Sequence, residues 1–213
     1  MFTTRAYEKE ALRLVLKEAN QVAQALELQE QLPISEVSLV AKYIPPPRLA
    51  QRIGGVGNVT TSNYTYYVSA GNRFSFLEHS HLQQERIEFQ KKFLSDSARI
   101  DTNAAYQLAS EFLGKLLMDV EALNRDCSVR VQTVFPTSKS TQSLIPIYLV
   151  VWNKARQSGS CAIVEVCLPT KTLLQLRVED PKYILRPPIV FTNLAELLST
   201  NAPALTNAPI PPQ

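Results

Sequence analysis

"DTNAAYQLASEFLGKLLMDVEALNRD", residues 101–126, is where the fold can be read most directly. Ala105, Leu108, Ala109, Phe112, Leu116, Val120 and Leu123 recur at three- and four-residue steps, so they form one apolar stripe on a helix. Asp101 or Thr102 supplies the oxygen that caps its first turn. A helix with one apolar face needs something flat to cover, and the residues that follow provide it.

Four strand-like runs come next, at 127–135, 144–153, 160–168 and 172–179. In the first, Val129, Val131, Thr133 and Phe135 alternate with Ser128, Arg130 and Gln132. In the third, Ala162, Val164, Val166 and Leu168 share a face, with Cys161, Ile163, Glu165 and Cys167 opposite. In the fourth, Leu174, Leu176 and Val178 alternate with Gln175, Arg177 and Glu179. Period-two alternation implies an antiparallel sheet with one dry face, here expected under the 102–124 helix, and one partly wet face.

The first half repeats the theme. Residues 4–31 read as an amphipathic helix through Leu12, Val15, Ala19, Val22, Ala23 and Leu26, with Pro33 just past its end. "ISEVSLVAKYI" (34–44) predicts a strand stopped by "PPP" (45–47). "GGVGN" (54–58) predicts a loop, and "VTTSNYTYYVS" (59–69) a strand rich in β-branched and aromatic residues. "AGN" (70–72) turns the chain into a return strand, "RFSFLE" (73–78). Residues 81–94 fit a helix through Leu82, Phe89 and Phe93, or a strand through Ile87 and Phe89.

From Pro181 onward the chain holds seven of its 14 prolines. That stretch predicts an extended tail, with a short helix at Leu194–Leu198. The order helix, strands, helix, strands gives an α+β fold of two helix-on-antiparallel-sheet units in tandem, 1–98 and 99–180, then the Pro-rich tail 181–213.

Composition narrows the function. A net charge of +3, dispersed along the chain, is too weak for a nucleic-acid footprint. No apolar run reaches the roughly 18 residues of a membrane helix candidate. "MFTTRAYEKE" lacks the charged-then-apolar pattern of a signal peptide. Cys127, Cys161 and Cys167 show no CxxC spacing, which argues against structural zinc. Cys161 and Cys167 lie about 20 Å apart on one strand and cannot bond to each other. Cys127 can bridge to one of them if their strands are neighbours and the protein is exported. "GGVGN" is followed by no lysine–serine pair, so it is no phosphate loop.

"FLEHSHLQQE" (76–85) carries both histidines of the chain. On a strand His79 and His81 share a face; on a helix His81 and Glu85 stand one turn apart. Two histidines fall short of the usual zinc sets, so polar surface is the simpler reading. Tyr64 and Tyr66 share one face of their strand, with Tyr67 on the other and Phe74 and Phe76 returning alongside. Arg130 and Arg177 stand among Glu165, Glu179 and Asp180 on the expected wet face, where cross-strand ion pairs account for them. Tyr64, Tyr66, His79, His81, Arg130, Glu165 and Arg177 make up the candidate binding surface. No catalytic, cofactor or metal set is expected, and the chain reads as non-enzymatic.

"IDTNAAYQLASEFL", "DVEALNRDCSV" and "LPTKTLLQLRVEDPKYILRPP" resemble a group of exported proteins abundant in soil Verrucomicrobia. The likeness spans roughly 34–190. That group is similar to PepSY and cystatin-like domains, in which a helix lies across an antiparallel sheet. The resemblance implies export to the periplasm or beyond, and a hairpin tip at His79. With no catalytic constellation and a tail suited to extended pairing, the expected role is binding of another protein or an extended peptide, without a cofactor. The sheet's open face, a free strand edge or the Pro-rich tail would carry that binding. A rival reading places a small-molecule pocket between helix and sheet, lined by Phe112, Tyr148 and Trp152.

Overall fold

The computed structural model describes residues 4–53, 55–69, 73–93, 101–134, 146–154 and 159–185. Five helices occur there: α1 (Thr4–Ala25), α2 (Pro47–Ile53), α3 (Leu82–Phe93), α4 (Thr102–Lys115) and α5 (Val120–Asp126). The strands are β1 (Ala41–Tyr43), β2 (Gly55–Thr60), β3 (Tyr64–Ser69), β4 (Arg73–His79), β5 (Cys127–Thr133), β6 (Ile147–Lys154), β7 (Ser160–Cys167) and β8 (Thr172–Val178). All eight belong to one antiparallel sheet, ordered β1-β2-β3-β4-β8-β7-β6-β5. It is an α+β architecture.

The order places two four-stranded meanders side by side, joined along their last strands. At the join Phe76 pairs with Arg177, Leu77 with Leu176 and Glu78 with Gln175. A single apolar core runs beneath both helices, from Val15 and Val22 of α1 to Leu108 and Leu113 of α4. Every α1 residue assigned to the apolar stripe is buried. So are Ala105, Leu108, Ala109, Phe112, Leu116 and Leu123 of the second stripe.

Several sequence expectations give way to local chemistry. The first helix stops at Ala25 rather than near 31, because Glu27 takes a left-handed φ of 53° and reverses the chain. Asn20 then holds the returning strand end. Its amide nitrogen donates to Ile34 O and its oxygen accepts from Ile34 N. With Ile34 drawn onto α1, the expected strand at 34–44 shrinks to three residues.

"GGVGN" is strand, not loop, from Gly55 onward. Gly57 sits at a register shift with φ 153°, and a Cβ there would meet Tyr43 O at 2.7 Å. Glycine lets β1 approach that closely. "VTTSNYTYYVS" in turn is a hairpin rather than one strand. The Thr61 hydroxyl oxygen accepts from the amides of Asn63 and Tyr64, at 3.1 and 3.0 Å, and so turns the chain between β2 and β3.

Three bulges move side chains between faces. Ser75 is the extra residue in β4, so Phe74 is buried in the core while Phe76 stacks beside Tyr67 on the reverse face. Leu174 is the extra residue in β8, which removes it from the face of Leu176 and Val178. Cys161 is the extra residue opposite β6 and turns toward Cys127.

The 101–126 helix is broken in two. Leu117 has φ 56°, and Asp119 restarts the helix by accepting from Ala122 N at 2.9 Å. The break is held by residues 183–185: Asp119 N donates to Tyr183 O and Leu185 N to Leu117 O, each at 2.8 Å. Residues 181–185 are the described start of the expected tail. The rest of it, with Leu194–Leu198, lies outside the described residues, as does Phe135.

The ambiguous stretch is helix over Leu82–Phe93, and it covers the sheet face opposite α1 and α4. Leu82 joins Ile147, Cys167 and Leu174 in a second apolar cluster, with Phe89 packed against it. Part of the reverse face is therefore dry: Glu165 and Cys167, expected on the partly wet face, are buried, while Arg177 on the same face has its side chain 46% exposed. On the terminal strand β5 the reverse happens: Val129, expected on the dry face, is 38% exposed.

Candidate functional site

A partly open cleft of about 420 Å³ lies at the end of the sheet where β3 begins and β4 ends. Leu26–Gln29 after α1 form one wall and the β7–β8 turn, Thr170–Leu173, another. Asn63, Tyr64, His79 and His81 line it from the sheet, Glu85 and Phe89 from α3, and Phe112 from α4. It sits where the two meanders and both helical layers meet.

His79 ends β4, cross-strand from Tyr64, and the two rings meet edge-on at 5.0 Å. The strand stops there because Ser80 and His81 turn the chain into α3, with Glu85 N donating to His81 O at 2.9 Å. His79 therefore sits at a strand–helix junction, not at a hairpin tip. His79 Nδ1 accepts from the His81 amide at 3.3 Å, which places the ring proton on Nε2. That nitrogen lies 3.9 Å from Glu85 Oε1, within charge attraction but too long for a hydrogen bond. Glu85 thus faces His79, and the helical pairing expected with His81 does not form.

Burial lowers the His79 pKa below 6.5, and His81 adds to this while Glu85 opposes it. Tyr64 is pushed up to about 12, first by burial and then by Glu30 and Glu85. Its hydroxyl donates to Leu173 O at 3.4 Å. Tyr66 is fully buried next to it and donates to Glu30 Oε1 at 3.0 Å. Burial and Glu30 raise its pKa as well. The same Glu30 oxygen accepts from Thr61 at 2.6 Å. The cleft thus joins a neutral imidazole and a carboxylate with un-ionised phenols behind them.

Of the seven candidate residues, the structure gathers Tyr64, His79 and His81 at the cleft, with Tyr66 directly behind. The other three stand apart. Arg130 is exposed on β5. Arg177 lies on the reverse face, 5.0 Å from the Phe76 ring centroid, and reaches Glu179, just past the end of β8, at 3.4 Å rather than forming a cross-strand ion pair. Glu165 is 1% exposed under α3 and is gripped by both nitrogens of the Arg86 fork, with Arg86 Nε to Oε1 at 2.7 Å. Asp180 meets Lys154 at 3.6 Å.

Sequence patterns missed Asn63, Glu30 and the β7–β8 turn as parts of this region. Only the left-handed φ of 51° at Lys171 marks that turn, and nothing in "LPTKT" ties it to the histidines 90 residues earlier. Of the trio expected to line a pocket under α4, Trp152 and Tyr148 are buried in the core. Trp152 Nε1 donates to Asn124 Oδ1 at 2.9 Å and Tyr148 OH accepts from Asp101 N at 3.1 Å. Phe112 alone of that trio reaches the cleft.

Among the described residues no group of three or more His, Cys, Asp or Glu side chains is placed to hold a metal ion. Among them, too, no helix is long and apolar enough to cross a membrane. Compared with family models, with curated proteins and with solved structures, the chain matches none.

Proposed function

We propose that the protein is an exported, non-enzymatic binding module whose cleft receives a side chain or chain end of another protein or an extended peptide. The carrying observation is the convergence of six separate segments on one partly open cleft. Its apolar floor (Leu26, Phe112, Leu173) is ringed by His79, Glu85, Asn63 and Lys171. Apolar surface supplies affinity and a few fixed polar groups supply orientation, which is how binding sites are commonly built. Recurrence of a helix followed by a four-stranded meander supports two tandem PepSY-like or cystatin-like units, with the cleft at their join.

The two histidines make the test clean, because each gives its own ring signals in a proton–nitrogen NMR spectrum. Random peptides are selected against the whole chain, and the best binders are titrated while those signals are followed. The reading expects the His79 and His81 signals to shift on binding and affinity to fall at least tenfold in Phe112→Ala. Peptides that bind without moving either histidine would place recognition elsewhere. A cleft volume of about 420 Å³ also falls in the range of small-molecule sites. Shifts produced by small polar compounds but by no peptide would establish that second reading.

A further inference from the structure

Cys127 and Cys161 lie at the opposite end of the second meander from the cleft's β7–β8 turn, and nothing in the binding reading uses them. We infer that these two residues form a disulfide and that Cys167 remains the chain's single thiol. The sulfur atoms are 2.8 Å apart, under 1 Å from the ~2.05 Å of a disulfide. Two independent features of the backbone bring them there. Cys127 ends α5 and opens β5, so its direction is fixed by the helix stop. Cys161 is the bulged residue of β7, opposite no residue of β6, and without that bulge it would point to the reverse face. The sulfurs meet although β5 and β7 are not neighbours, which the sequence-based condition for bridging did not foresee.

Both residues are buried, and Tyr183 closes the site with its hydroxyl 3.6 Å from Cys127 Sγ. Burial, followed by the neighbouring Cys127, pushes the Cys161 thiol up to about 11. Little Cys161 thiolate therefore exists in the folded reduced protein at neutral pH, and the bond forms most readily while the chain folds. The co-reactant is a disulfide of a small thiol or of an exchange protein. A thiolate of one cysteine attacks it and expels one thiol. The second cysteine then displaces the mixed disulfide and expels another. Two electrons and two protons pass from the cysteines to the oxidant's two sulfurs. Cys167 faces the other side of the sheet, in the cluster with Leu82, Ile147 and Leu174, and takes no part. The product closes a loop across 34 positions and pins the terminal strand β5 to β7.

The test is to refold the full chain with oxidised glutathione, block free thiols in denaturant and map the peptides without reduction. One blocked thiol at Cys167 is expected, with a Cys127–Cys161 linked pair lighter by two hydrogen atoms. Three blocked thiols, or glutathione carried separately on Cys127 and Cys161, would overturn the inference. The oxidised form should melt about 10 °C above the reduced one, from the closed-loop constraint. Cys167→Ala should keep that difference and C127S/C161S should abolish it. If the double variant fails to fold, the thiol map of the unaltered chain still decides.

Discussion

Glu85 and Arg86 are neighbours in sequence and partners in two opposite kinds of electrostatics. On α3 they point apart, one toward the cleft and one down onto the sheet. Arg86, its side chain 15% exposed, meets Glu165 in a two-pronged pair that seals the carboxylate, 1% exposed, from water. Glu85 meets His79 at 3.9 Å, with side chains 27% and 15% exposed and no hydrogen bond between them. The tight pair fastens α3 to the reverse face and has no spare capacity. The loose pair leaves the Glu85 oxygen and the His79 N–H turned toward a cleft, free to engage a ligand. Tight pairing is structure; incomplete pairing in a cleft is where binding can happen.

The largest effect expected from breaking this contrast is Arg86→Ala. It strands the Glu165 carboxylate in a dry site and should cost about 3–5 kcal/mol in chemical denaturation. A loss below about 1 kcal/mol would show that water reaches Glu165 and that α3 does not seal the face. Replacing both partners, as R86M/E165L, should return stability to within about 1 kcal/mol of the unaltered chain, because no buried charge is left unmatched.

The cleft should respond in the opposite sense. Glu85→Gln and His79→Ala should each change unfolding free energy by under about 1 kcal/mol, as expected of partly exposed pairs. Binding of cleft ligands should nonetheless weaken about tenfold, read by the same NMR titration. A large stability loss without loss of binding would make this pair structural as well.

The subtlest expectation concerns pH. His79 has its folded pKa depressed, mainly by burial. As pH falls through 6.5 the unfolded chain takes up this proton before the folded one does. The His79 contribution is therefore fully present above that pH and is lost as pH falls through the folded value. The denaturation midpoint should drop between pH 7 and 5.5, and His79→Gln should flatten that part of the curve. Glu85→Gln should push the His79 titration lower still, since Glu85 is what holds it up.

Much of the fold was legible because it depends on periodicity. The stripes of α1 and α4 and the dry-face set Ala162, Val164 and Val166 of β7 follow from which residues avoid water, and all three of those β7 residues are buried. What escaped was decided by single residues acting locally. Thr61 turns a β-rich run into a hairpin through one hydroxyl. One extra residue in each of β4, β7 and β8 sends Phe76, Cys161 and Leu174 away from the faces that strict alternation gives them. Of the candidate site, the histidines and Tyr64 could be singled out by type. Their partners Glu30, Lys171 and Phe112 could not, since no local pattern links residues so distant in the chain.

The sequence by itself determined the two amphipathic helix stripes, the class of fold and the lack of a familiar catalytic spacing, because each of these rests on nearest neighbours and period. Only the tertiary structure decided that eight strands share one sheet and that α3 dries part of its reverse face. It likewise decided that Glu85 answers to His79 and Arg86 to Glu165. Such pairings depend on where β4 and β8 join, and a join between strands about 100 residues apart leaves no mark on either strand alone.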